Sequence, residues 1–195
     1  MTEKGFTLDF YSQILNLKNS YLLSFATVDL ISHDDILSIL EKDTFATGTY
    51  KFEFKDISDL VRNSKHNNNE DFRILIWEYL MFSTRALFIN LYEAFKADKK
   101  RFAIVKDTDW FVFLANIRHS LAHGIDAIWN INDFGKSEIF YLRSFDNLKI
   151  SIDKNWNHTL MTFDQIGGWG TPIDFIVFIE GEVKKIMNMQ SNPEA

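Results

Sequence analysis

Hydrophobic positions recur at helical spacing from near the start of the chain, where Leu8, Tyr11, Leu15, Tyr21, Leu22 and Phe25 predict a helix over about 8–30. Ser32-His33-Asp34-Asp35 supplies capping residues ahead of Ile36, Leu37, Ile39 and Leu40, so a short second helix follows with His33 in its cap. Between residues 43 and 69 the pattern loosens. Tyr50–Phe54 alternates as a short strand does, and the polar run Ser64-Lys65-His66-Asn67-Asn68-Asn69 reads as a surface loop. The most apolar helix is expected over 71–97. Glu78 and Arg85 interrupt it, so no unbroken apolar run reaches the ~20 residues of a membrane span, and a central core helix is the better assignment. These two charges stand seven positions apart, on nearly one side of the helix, where they either pair with each other or point into a polar cleft.

The next helix is expected over 108–128. On an ideal helix Trp110, Leu114, Ile117, Leu121, Ile125 and Ile128 fall within an arc of about 80°, a core face, with Arg118, Ala122, Asp126, His119, His123 and Asn116 on the adjoining arc. Beyond it the period changes from 3.6 to 2. Residues 137–143, 148–152 and 159–163 read as three strands, separated by Asp146-Asn147 and Asn155-Trp156-Asn157. Gly167-Gly168-Trp169-Gly170 ends that pattern, and Thr171-Pro172-Ile173-Asp174 opens a last helix running to about Met189. The prediction is a mainly α fold, a helical bundle with a small antiparallel β-meander (about 137–163) inserted before the C-terminal helix.

Composition narrows the class. With 195 residues, 46% of them hydrophobic, one well-buried domain over 1–195 is expected. The absence of cysteine excludes a disulfide framework, a thiolate metal site and a cysteine nucleophile. Met1-Thr2-Glu3-Lys4-Gly5-Phe6 carries no basic segment followed by an apolar core, so a cytoplasmic protein is expected. A formal charge of −6 argues against a general nucleic-acid binder, which usually has a basic surplus. Lys96, Lys99, Lys100, Arg101 and Lys106 nevertheless cluster just before the helix at 108–128, as a solvated helix end or as a positive patch that could hold substrate.

Chemistry concentrates in Asn116-Ile117-Arg118-His119-Ser120-Leu121-Ala122-His123-Gly124-Ile125. An always-charged guanidinium beside imidazoles that exchange protons near neutral pH suits phosphate chemistry. Arg118 followed five residues later by His123, with polar His119 directly after the arginine, resembles the signature of the HEPN superfamily, and the long apolar helix before it strengthens the likeness. The resemblance implies a helical bundle and, in many members, metal-independent cleavage of RNA in toxin–antitoxin or antiphage systems. It implies Arg118 as the phosphate-binding cation, His123 as the proton-transfer residue and His119 as their polar partner. It further implies a homodimer that joins two motifs in one cleft, RNA as substrate, a protein antitoxin or inhibitor as possible partner, and no cofactor. Glu78, Arg85, Asn116 and Asp126 are candidate supporting groups; Lys96, Lys99, Lys100 and Arg101 are candidate substrate contacts. Ile125 stands where one subgroup, silenced by nucleotidyl transfer, has a tyrosine, which puts that control mechanism in doubt. The β-meander is an addition to the usual helical core.

Two other classes compete. His119 and His123 stand four apart and could present two imidazoles to one metal ion, although the zinc-protease glutamate after the first histidine is absent. A domain that binds RNA or protein without cutting is the other. Ser120 lacks a glycine-flanked elbow, and Gly167–Gly170 lacks the lysine of a nucleotide loop.

Overall fold

A computed structural model describes residues 5–42, 44–47, 50–67, 69–122, 127–131, 139–141, 149–168 and 170–191. The chain is mainly helical, as expected of a helical bundle. In order, its elements are α1 (Leu8–Ile31), α2 (Asp34–Leu40), β1 (Thr44–Thr47), β2 (Tyr50–Glu53), α3 (Phe54–Asn67), α4 (Asn69–Lys96), α5 (Lys99–Val105), α6 (Asp109–Ala122), β3 (Ile139–Tyr141), β4 (Lys149–Ser151) and α7 (Thr171–Ser191). It forms two compact units, residues 1–21 with 84–195 and residues 22–83, so α1 and α4 each contribute to both.

In the larger unit, Phe6, Phe10 and Ile14 bury one stripe of the α1 end at i, i+4, i+8 spacing, and Leu87, Phe88, Leu91 and Phe95 do the same for α4. Phe175, Ile176, Ile179 and Val183 supply the matching stripe of α7. Between them α6 is buried on every side from Trp110 to Ile117, which makes α6 the central helix. Aromatic rings knit the core, with Phe95 5.0 Å from Phe10 and 5.2 Å from Trp110, and Phe175 5.6 Å from Phe88 and 5.3 Å from Phe113. Such pairs add about 0.5–1.5 kcal/mol each beyond the area they bury. Gly5 lies so close to α5 that an added Cβ would come within 2.9 Å of the Arg101 backbone nitrogen. A second device is polar: Tyr11 and Lys18 of α1 and Lys184 of α7 all donate to the Glu180 carboxylate. Burial alone would raise the pKa of Glu180, but these hydrogen bonds outweigh it and hold it down at about 2.

Sequence expectation and structure part company in several places. The sequence predicts a central core helix over 71–97, yet only the C-terminal part of α4 is core. Ile74, Trp77, Tyr79 and Phe82 on its N-terminal part are exposed. Among the described residues, Glu70–Lys96 is the one stretch long and apolar enough to cross a membrane by length and composition. The helix expected at 108–128 is α6 only to Ala122, and residues 123–126 lie outside the described residues. Ile128, assigned to its core face, instead sits on an extended segment, partly exposed. Among the described residues the three-stranded meander is not seen. Among the described residues 137–163 provide one antiparallel pair, with Phe140 opposite Ile150. The third run pairs elsewhere: Leu160 bridges Ile128, Trp129 N–H donates to Thr159 O, and Met161 N–H donates to Ala127 O. Burial explains the choice. Trp129 is fully buried, its Nε1 donates to Gln165 Oε1 at 2.8 Å, and its ring lies 5.4 Å from Trp156. Gly167 and Gly168 take positive φ values before α7, a backbone that L side chains rarely adopt.

In the smaller unit β1 and β2 form an antiparallel hairpin, Phe45 opposite Phe52. The run Ser64–Asn67, expected as loop, is the last turn of α3. Lys65 explains it, donating to Asp34 Oδ1 at 2.9 Å and to Ser32 O at 2.7 Å, while Arg62 pairs with Glu41. The hydrogen bond from Lys65 also holds the Asp34 carboxyl below its ordinary pKa. His33 occupies the α2 N-cap position without a side-chain capping bond.

Candidate functional site

Arg118 immediately precedes the last turn of α6 and His119 lies in that turn, where the buried helix begins to reach the surface. Ile117 and Leu121 are buried and anchor this turn, leaving Arg118 half-buried with 24% of its side chain exposed. Its guanidinium sits 5.2 Å above the Tyr92 ring of α4, and its Nη2 donates to Glu93 Oε1 at 2.7 Å. Nη1 stands 3.5 Å from His119 Nδ1, a long contact. Its Nε is buried with no hydrogen-bond partner among the described residues.

Tyr92 is the platform of this site. Its ring stacks on Phe111 at 5.5 Å, so the core fixes its plane. Around it stand the Arg118 guanidinium, the His119 ring at 6.0 Å and the Lys96 ammonium at 5.5 Å. Cation–π attraction of about 0.5–1 kcal/mol per exposed cation favours gathering the Arg118 and Lys96 charges on one ring. Glu93 is the only carboxylate paired with Arg118 among the described residues, and 47% of its side chain is exposed. An ion pair that open to water contributes at most about 1 kcal/mol. A phosphate oxygen can therefore take the same place on the guanidinium fork, since bidentate oxyanion binding is what that fork favours.

The other predicted residues separate into distinct surroundings. Asn116 is buried, its Nδ2 donating to Val112 O at 2.9 Å and its Oδ1 without a partner among the described residues. That corrects its placement on an outward polar arc, because α6 is buried all round at this level. Arg101 is half-buried with its guanidinium 3.8 Å over the Phe10 ring, and burial lowers its pKa while Asp98 opposes the shift. It braces α5 against α1, unlike a substrate contact. Lys99 and Lys100 are exposed at the start of α5, whose N-cap Asp98 accepts from Lys100 N and Arg101 N. Glu78 is exposed in the smaller unit and lines a groove there, whereas Arg85 is half-buried in the larger one. Ser120 Oγ donates to Asn116 O and accepts from Asn130 N–H, a structural tie that holds the segment after α6. His123 and Asp126 lie outside the described residues. Among the described residues no three His, Asp or Glu side chains are grouped as metal ligands.

Tyr92 and Glu93 are the residues of this candidate site that sequence reading missed. Their signal was faint: a tyrosine and an acid where the apolar stretch of α4 turns polar, with Lys96 one turn further on. Charge is also unevenly shared. Residues 22–83 hold 6 Lys/Arg against 11 Asp/Glu, a net −5, leaving 15 against 16, a net −1, for the unit that carries Arg118. The surplus acidity counted against RNA binding thus belongs mostly to the other unit. Compared with protein-family models, curated proteins and solved structures, the chain matches none.

Proposed function

We propose that this protein is a metal-independent endoribonuclease that acts in the cytoplasm as a homodimer, in a toxin–antitoxin or antiphage setting, held in check by a protein inhibitor. Arg118, resting on Tyr92 and already bonded to a carboxylate oxygen at 2.7 Å, is the observation that carries this reading. It is a guanidinium fixed in orientation by an aromatic face and presented to an oxyanion, with an imidazole beside it. Similarity of Arg118–His123 to the HEPN signature supplies the reaction class.

In this reaction a base removes the proton of a ribose 2′-hydroxyl, and the oxygen attacks the adjacent phosphorus. The bond from phosphorus to the 5′-oxygen breaks, that oxygen takes a proton, and a 2′,3′-cyclic phosphate remains. Arg118 offsets the charge that builds on the phosphorane oxygens. His123 transfers a proton, and His119 holds the guanidinium and imidazole in register. Two proton transfers need two groups, which a second copy of the motif across a two-fold axis provides. Lys96, Lys99 and Lys100 attract the flanking backbone.

The test is cleavage of a mixed-sequence RNA with and without a chelator, alongside Arg118→Ala and His123→Ala. Chelator-resistant cleavage leaving cyclic phosphate ends, reduced at least 100-fold in each variant, is the expected result. Chelator-sensitive cleavage points instead to a metal held by His119 and His123. A non-catalytic binding module is favoured by one observation, the occupation of Arg118 by Glu93; RNA binding that needs Arg118, with no cleavage, would establish it.

A further inference from the structure

The smaller unit leaves its apolar surface in an unusual state. Among its described residues Leu37 and Val61 are the buried hydrophobic side chains, while ten large ones stand exposed, from Leu22 on α1 to Phe82 on α4. Where such side chains gather into one patch they mark a place where another surface docks. The feature has a shape. A groove of about 400 Å³ runs between α3 and α4, with Leu60, Ile74 and Leu75 along it and Asp71 and Glu78 at its side. Leu60 is 56% exposed, Ile74 49% and the neighbouring Trp77 52%.

Asp71 and Glu78 are seven positions apart, so both project from nearly the same side of α4, one on either side of Ile74. Two of the unit's six Lys/Arg are paired within it, Arg62 with Glu41 and Lys65 with Asp34, and the eleven Asp/Glu still outnumber all six. What the unit presents outward is apolar surface within a field of net −5.

That sign chooses among occupants. A second copy of this unit would bring like charge against like, a nucleic acid would do the same, and an anionic lipid surface would be repelled. We propose that the α3–α4 groove docks a basic amphipathic helix of a partner protein, its apolar face over Leu60 and Ile74 and its lysines or arginines toward Asp71 and Glu78. This is the helix-in-groove mode, in which apolar anchors at helical spacing give affinity and flanking charge gives selectivity. It does not rest on the role given to Arg118.

The probe is a synthetic 14-residue peptide of leucine and lysine at amphipathic helical spacing, titrated into the full chain by calorimetry beside its leucine–glutamate counterpart. The leucine–lysine peptide is expected to bind one to one and to gain helicity, and the glutamate version to show no binding. Asp71→Asn with Glu78→Gln, both at exposed positions, is expected to weaken binding at least tenfold with unchanged circular dichroism and thermal midpoint. Leu60→Asp is expected to abolish it. The proposal is overturned by absence of binding, by equal binding to the doubly neutralised variant, or by equal binding of the glutamate peptide. It is likewise overturned if the wild type self-associates and Leu60→Asp abolishes that, or if it partitions onto phosphatidylglycerol vesicles through this face.

Discussion

Glu180 offers the sharpest quantitative test, because three donors from two helices converge on one carboxylate. Replacing it by glutamine keeps the shape and removes the charge. Holding the pKa at about 2 against an ordinary 4.5 corresponds to about 2.5 units, or about 3.4 kcal/mol at the rate of 1.36 kcal/mol per unit. That figure is an upper bound. Lys184 is 55% exposed and water screens its share of the pairing. A loss of about 1–2 kcal/mol at pH 7 is the working value for Glu180→Gln. For a chain of this size it corresponds to a fall of roughly 2–8 °C in the midpoint of the transition that includes α1 and α7.

The sign in pH follows from the direction of the shift. A carboxyl whose folded pKa is depressed adds stability that is fully present above the unfolded value of 4.5 and is lost as pH falls toward about 2. The gap between wild type and Glu180→Gln should therefore be constant from pH 7 down to about 5 and should close between about 4.5 and 2. Urea unfolding followed by far-ultraviolet circular dichroism at pH 7, 5, 4, 3 and 2.5 measures it. A gap that stays the same throughout, or none at pH 7, would refute the claim that these charges tie α1 to α7.

Two further outcomes are expected. Glu93→Gln removes the carboxylate that occupies Arg118, and a pair worth at most about 1 kcal/mol predicts a several-fold but less than tenfold rise in affinity for a short RNA or inorganic phosphate, read by calorimetry; unchanged affinity would mean that the pair does not compete with substrate. Trp129→Ala empties a fully buried site and leaves Gln165 without its indole donor, so a loss of about 3–5 kcal/mol is expected, with near-ultraviolet circular dichroism reporting loss of the Trp129–Trp156 pair.

Helices were readable wherever one local pattern sufficed. Residues 8–31 and 171–191 match their predicted spans closely because apolar recurrence, joined in the second by a proline in the first turn, acts within a few residues, although the Thr171 hydroxyl expected to cap that helix makes no hydrogen bond among the described residues. The end of α3 was not readable. Ser64–Asn67 is polar throughout, and it is helical because Lys65 finds Asp34 and the Ser32 carbonyl, partners more than thirty residues away. The first two strands of the expected meander do pair, and the third was misassigned for the same kind of reason: alternation marks a segment as fit for pairing but does not name its partner, and buried Trp129 draws the 159–161 run to itself. At the site, the motif stood out as residue types, whereas the platform did not, since nothing local links Tyr92 and Glu93 to Arg118 across 25 positions.

Local order and chemical inventory were thus set along the chain: a mainly helical protein, without cysteine, with an arginine and two histidines clustered on one segment. Partnership was settled only in three dimensions. Packing buried α6 on all sides from Trp110 to Ile117, turned Asn116 inward, drew Arg101 over Phe10, and gathered Arg118, His119 and Lys96 around one tyrosine. The physical reason is that periodicity constrains the face of an element, while the energy of a contact depends on what lies opposite, and that is decided by burial shared among segments distant in sequence.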